Sequence, residues 1–198
     1  MSTRMLRWGA FALATAPMVA TAAQTYEIDS SHTYPYFEVS HLGFSVMGGQ
    51  FDQTSGSFVL DRDGGNSSVS VTISADSIDT GHEKRDEHLR SDDFFAVQQH
   101  PEITYESTEV TFEGEDEATI EGELTMLGKT RPVTLKVNKI NCGEHPMNGE
   151  HVCGFNAVAE IERSTFGMDY GLPAIGDTVD IRIQAEGVAR DSEKVAQN

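Results

Sequence analysis

The stretch ATIEGELTMLGKTRPVTLKV, residues 118–137, decides the fold class. Ala118, Ile120, Gly122, Leu124 and Met126 alternate with Thr119, Glu121, Glu123 and Thr125. Leu127-Gly128-Lys129 then supplies a turn, and Val133, Leu135 and Val137 alternate with Thr134 and Lys136. A period of two puts one residue set on each face of a strand. A short glycine turn between two such runs predicts an antiparallel hairpin, dry on one face and wet on the other.

The same reading extends in both directions. Upstream, Phe37, Val39 and His41 alternate with Glu38 and Ser40, and Phe58 and Leu60 follow Phe51 after an expected turn at Thr54-Ser55-Gly56. Val69, Val71 and Ile73 form a third run, and Ile103 and Tyr105 a fourth. Downstream, Phe155, Ala157, Ala159 and Ile161 precede Val179, Ile181, Ile183 and Ala185. Eight strands joined mostly by short turns predict an all-β, eight-stranded antiparallel up-and-down (lipocalin-like) barrel, with a two-sheet sandwich as the alternative. Pro35 belongs at an edge or a bulge, because it cannot donate to a ladder. Ser77 to Gln99 breaks the alternation. Its run of helix formers, Glu83 to Arg90, predicts a short helix after strand 3, with Leu89, Phe94 and Phe95 plugging one mouth of the barrel.

The 198 residues carry 14 basic and 32 acidic side chains, for a net charge of −18. A surface this acidic excludes nucleic-acid binding, which needs a basic face, and disfavours anionic headgroups. Arg4 and Arg7, the apolar run from Trp8 to Val19 and Ala20-Thr21-Ala22 read as a signal peptide over residues 1–22. Its removal leaves −20, with the domain over residues 23–190, a flexible polar tail over 191–198 and no stable membrane anchor. Export places the chain in an oxidising compartment, the periplasm. There Cys142 and Cys153 are expected to pair across a turn-rich loop. A zinc site built from these thiols with His145 and His151 is the weaker alternative, since the spacing matches no zinc-finger pattern.

Catalytic constellations are poor. There is no HExxH pair, no Gly-x-Ser-x-Gly elbow and no glycine-rich phosphate loop. No cofactor and no metal is expected. The dry face carries small residues on several strands, Ala118, Gly122, Ala157, Ala159, Ala185 and Gly187, against Phe37, Phe51, Phe58 and Tyr105 on the earlier ones. Small against large either interdigitates to fill the barrel or leaves an apolar lumen for a thin, greasy ligand.

The charged segment carries a resemblance. Asp79-Thr80, Arg85-Asp86-x-His88-Leu89-Arg90-Ser91-x-Asp93-Phe94 and Pro101 resemble the signature of the YceI family. His41-Leu42-Gly43-Phe44-Ser45 before Gly49-x-Phe51, Gly122-x-Leu124-Thr125-x-x-Gly128-x-Thr130-x-Pro132-Val133 and Arg163-x-x-Phe166-Gly167 agree in order, from about Tyr26 to Ala189. The resemblance implies a periplasmic barrel whose lumen binds a polyisoprenoid or another amphiphilic lipid, such as a polyprenyl lipid or an isoprenoid quinone. It also implies a protein that is often a homodimer and is not an established enzyme. The cysteine loop is outside the family pattern.

On this reading the lumen takes Phe37, Val39, Phe51, Phe58 and Ile73 from the early strands and Leu89 and Phe94 from the helical segment. Ile103, Tyr105, Ile120, Leu124 and Leu135 follow, then Phe155, Phe166 and Ile181. His41, Arg85, Asp86, His88 and Arg90 are candidates either for the lipid head group or for a structural lid held by charge-assisted bonds. A different reading is an enzyme acting on an amphiphilic substrate. It needs a titrating pair in the lumen, for which His41 with Tyr105 is the candidate.

Overall fold

A computed structural model describes residues 23–190, so the signal peptide expected over 1–22 and the tail expected over 191–198 lie outside the described residues. Eleven strands run in chain order: β1 Gln24–Ile28, β2 Tyr34–His41, β3 Ser45–Phe51, β4 Thr54–Leu60, β5 Ser68–Ser74, β6 Ile78–Asp79, β7 Glu102–Phe112, β8 Ala118–Met126, β9 Lys129–Glu144, β10 His151–Glu162 and β11 Ile175–Ala189. The helix α1, Glu83–Arg90, falls between β6 and β7. All pairings are antiparallel, and β1 pairs both β4 and β11, which closes the ring.

The eleven pieces make eight strands, because three strands are interrupted. β1 and β2 both pair with β11, β3 and β4 pair with β2 and β1, and β5 and β6 pair with β4 and β3. Side chains cover the ladder at the breaks. The Thr33 hydroxyl lies 3.2 Å from both the nitrogen and the oxygen of Glu186, replacing the missing backbone pairing of β11. Ser77 Oγ accepts from the Gln53 amide at the next break. Pro35 is the second residue of β2, paired with Ile183 of β11 but one residue before the pairing with β3 begins at Tyr36, so it sits where the ladder is broken on one side.

Two elements differ from the alternation reading. β1 and β3 carry weak alternation and emerge only as partners of their neighbours. The Thr54-Ser55-Gly56 segment is strand, not turn, and the chain turns instead at Asp52-Gln53. Gly56 adopts φ +133° opposite Val71, where a Cβ would stand 2.2 Å from the Ser70 carbonyl oxygen. Its glycine serves a close backbone approach within the sheet.

Small residues of the dry face sit against rings. A Cβ on Gly122 would fall 2.5 Å from Tyr105, and one on Gly187 2.5 Å from Phe58. Phe58 in turn stacks on Tyr26 at 4.9 Å and meets Phe155 edge-on at 5.4 Å. With buried Ala118 and Ala157, this interdigitation closes one end of the barrel.

Cys142 and Cys153 face each other in the β9–β10 register and form a disulfide. The strands run on to Glu144 and His151, so the bond staples the end of a hairpin. The thiols are therefore consumed, and His151 Nδ1 lies 3.1 Å from the Tyr26 hydroxyl. Among the described residues no cluster of three or more metal-ligating side chains occurs. Closing so short a loop contributes about 3 kcal/mol by constraining the unfolded chain. Changing both cysteines to serine should lower thermal stability by that order. Thermal unfolding with and without reductant checks it.

Candidate functional site: an apolar lumen under a helical lid

Opposite the closed end the barrel is open inside. A cavity of about 380 Å³ extends from Val69, Tyr105 and Phe155 in the barrel's middle to a mouth framed by three segments. These are the β2–β3 hairpin (Val39, His41, Met47), the α1 region (Thr80 to Phe95) and the loop before β11 (Met168, Tyr170, Ile175). The walls between are aliphatic and aromatic: Val71, Ile73, Ile103, Leu124, Val133 and Leu135 on one side, Ile181, Ile183 and Ala185 on the other. Such sites typically span roughly 300–1,000 Å³ with few polar groups. Ile181 and Ile183 keep partial exposure because they face this space rather than packed neighbours.

The lid is built by the charged segment. Asp79 Oδ1 accepts from the Gly81 amide at 2.7 Å, turning the chain out of β6. The His82 ring caps α1 by accepting from the Arg85 amide. Thr80 is the hub. Its amide donates to buried Asp86 Oδ1 at 3.0 Å, its hydroxyl also donates to that oxygen, and it accepts from Arg85 Nε at 2.7 Å. Arg90 reaches back to the Asp76 and Ile78 carbonyls at 2.8 and 2.9 Å. Phe94 and Phe95 are buried beneath, with Phe95 edge-on to Phe51 at 5.5 Å.

This geometry divides the five polar candidates. Asp86 and Arg90 take the lid arrangement of the two expected for them: their polar atoms engage Thr80, the Asp76 and Ile78 carbonyls and the Asp76 carboxylate. Arg85 lines the cavity and uses two of its nitrogens on Thr80, leaving Nη1 outside those bonds. His88 lines it beside Asp93 and Tyr170, with Nε2 2.9 Å from Asp93 Oδ2. His41 lines it too, and its ring has no hydrogen-bond partner among the described residues. Removing the Asp86 carboxylate (Asp86→Ala) leaves the Thr80 amide without its acceptor. It should cost about 2 kcal/mol and raise hydrogen exchange across α1 before the barrel strands respond.

Twelve of the fifteen nominated apolar residues line this one cavity: Phe37, Val39, Phe51, Ile73, Leu89, Phe94, Ile103, Tyr105, Leu124, Leu135, Phe155 and Ile181. Three do not. Phe58 and Ile120 border a small void of about 30 Å³ at the closed end, and Phe166 is wholly buried in the 3-10 turn after β10. Period-2 alternation finds the inner face but not the height along it, which is why these three were grouped with the lumen. Met168 and Tyr170 were missed, since their loop has no period to read.

Arg163 was also missed as an architectural residue. It is 3% exposed, and its guanidinium donates to the carbonyls of Gly176, Met168, Tyr170 and Ile175 at 2.7 to 3.1 Å. One side chain thus shapes the third segment of the mouth. Burial lowers the pKa of the guanidinium, and Asp177 and Asp169 oppose that shift.

His41 and Tyr105 do not pair with each other. The Tyr105 hydroxyl is buried and lies 3.1 Å from both the Ile120 and Val133 carbonyl oxygens, and burial pushes its pKa far up. Its proton is committed to the backbone rather than to His41.

The fold and cavity define a class: a closed up-and-down barrel, plugged at one end and lidded over an apolar lumen at the other. The chain belongs to the YceI family, whose YceI-like domain matches residues 26–187. It is 38% identical over 191 residues to a UPF0312 protein of Pseudomonas aeruginosa, covering 93% of this chain and 99% of that protein. Among solved structures it resembles BcnA of Burkholderia cenocepacia, with a TM-score of 0.70, 22% identity, and coverage of 80% of this chain and 98% of that one. It also resembles a polyisoprenoid binding domain from Saccharophagus degradans, with a TM-score of 0.63, 17% identity, and coverage of 83% and 98%.

Proposed function

We propose that this protein is a periplasmic carrier or sequestering protein for an amphiphilic lipid, a polyisoprenoid such as a polyprenyl lipid or an isoprenoid quinone. The observation that carries the reading is the 380 Å³ lumen, whose wall is mostly aliphatic and aromatic while its charged and imidazole side chains gather at the mouth. Transferring an isoprenoid tail there gains about 25 cal/mol per Å² of apolar surface removed from water. That volume takes a short tail whole, or the end of a longer one with the rest passing the mouth. Arg85, His88 and His41 then stand where a phosphate or quinone head would emerge. The polyisoprenoid binding domain of similar fold supports the ligand class, and the leader-like residues 1–22 support the compartment. The reading is of binding without catalysis, the Tyr105 hydroxyl being committed to the backbone.

Titration with geranylgeranyl phosphate and with a short-tailed isoprenoid quinone, followed calorimetrically, tests this. Saturable binding at one ligand per chain, with a negative heat-capacity change, is the expected result. Absence of binding to both would overturn it. The phosphate should lose more affinity than the quinone in the Arg85→Met variant, since only the phosphate is anionic.

A further inference from the structure

Beside the charged α1 region, the rest of the barrel mouth is edged by an uncharged apolar rim. Val39 to Phe51 is thirteen residues without a single Asp, Glu, Lys or Arg, in a chain that is 23% charged. Its hairpin alternates in an unusual sense. Val39, His41 and Met47 point into the lumen, while Leu42, Phe44 and Val46 are 51, 90 and 63% exposed. Leu42 and Gly43 take φ +54° and +71° at the tip, and the Phe44 amide donates to the His41 carbonyl at 3.0 Å. Phe44 therefore projects into solvent at the end of a tight turn.

A second uncharged segment lies against it. Tyr170 to Gly176 has no charged residue, and the Leu42 amide donates to the Ala174 carbonyl at 2.7 Å. Tyr170 is 45% exposed and at the same time lines the lumen. The rim is thus continuous with the apolar wall of the cavity. Exposed large side chains grouped at one place mark a contact surface, and an aromatic residue with a polar tip suits a membrane–water interface.

We propose that this rim docks transiently on a zwitterionic lipid bilayer, with Phe44, Leu42 and Val46 entering the interfacial layer so that the lumen opens directly onto lipid. The inference rests on the proposed lipid-carrier reading and adds the partner surface. The occupant is argued from charge and continuity. A net charge of −18 repels anionic headgroups, and the uncharged rim presents the apolar face that neutral lipid accepts. No helix of the described residues is long and apolar enough to cross a membrane. A second copy of this chain fits less well, because a projecting tip offers few of the roughly 800 Å² per partner that a stable interface buries.

The test is flotation of the mature protein with ligand-free phosphatidylcholine vesicles at high lipid. It is run beside Phe44→Ser/Val46→Ser, whose replaced side chains are exposed and so leave the fold unburdened. The wild type should float with these vesicles, the variant at least five-fold less, and phosphatidylglycerol vesicles should retain less wild type than phosphatidylcholine at low salt. Absence of wild-type binding to phosphatidylcholine, or equal binding by the variant, would overturn the proposal. So would a wild-type dimer that the variant converts to monomer without loss of flotation, which would assign the rim to a second copy. Titration of both proteins with geranylgeranyl phosphate in solution reads the lumen separately. Equal affinities are expected, and a lumen that binds nothing while flotation still depends on Phe44 would sink the carrier reading but not the docking surface.

Discussion

Replacing Arg163 with methionine should lower the melting temperature by about 10 °C, the shift expected when a domain of this size loses roughly 3–5 kcal/mol. The guanidinium is 3% exposed and donates to four carbonyls of the 168–176 segment. Methionine keeps much of the volume and supplies no donor. The carbonyls of Met168, Tyr170, Ile175 and Gly176 must then find water or stay unpaired, and each unpaired buried group costs about 1–3 kcal/mol. Lysine restores the charge, but its compact ammonium does not span the same fork, so Arg163→Lys should recover only part of the loss. The damage should be local first. Hydrogen exchange should rise at 168–176 ahead of β8 and β9, because this loop owes its shape to one side chain. A melting shift under about 2 °C would mean that the loop holds itself.

The second large effect concerns the lumen. Ile183 lines the cavity wall opposite the β7–β9 face and keeps partial exposure toward the empty space. An indole there projects into the room a tail would occupy. Ile183→Trp should therefore weaken isoprenoid binding by more than 100-fold. Stability should change little, because the added ring fills a void rather than displacing packed neighbours. The chain's single tryptophan is Trp8, within the expected leader, so the introduced indole is the only one in the mature domain. Its emission should be blue-shifted, which reports burial and shows that the ring points inward. A buried indole together with undiminished affinity would place the ligand elsewhere.

Much of the architecture was legible, and for a physical reason. β8 buries every second residue from Ala118 to Met126 and β9 does so from Val133 to Val137, so their pattern reads as sheet directly. Antiparallel closure then follows from short connections. Illegible parts were those where tertiary context sets the backbone. Gly56 reads as a turn glycine, yet it sits in β4 because the Ser70 carbonyl approaches too closely for a Cβ. β1 is too short to announce itself and exists by pairing with β4 and β11. At the site, alternation separates inside from outside but not plugged from open. Phe58 and Tyr105 share the inner face, and only the packing of Phe58 on Tyr26, Phe155 and Gly187 places it beyond the lumen. The charged segment announced a helix, but the division of labour within it depended on Thr80, a residue with no signal beyond its place beside Asp79.

On the proposed function, the lumen holds an isoprenoid tail. Mass spectrometry of the organic extract from protein isolated gently from its native cells, without detergent, reads this against a blank. A stoichiometric polyprenyl lipid or isoprenoid quinone is expected in the wild type, and its loss from Ile183→Trp. Protein that purifies empty and also fails to take up added isoprenoids would contradict it.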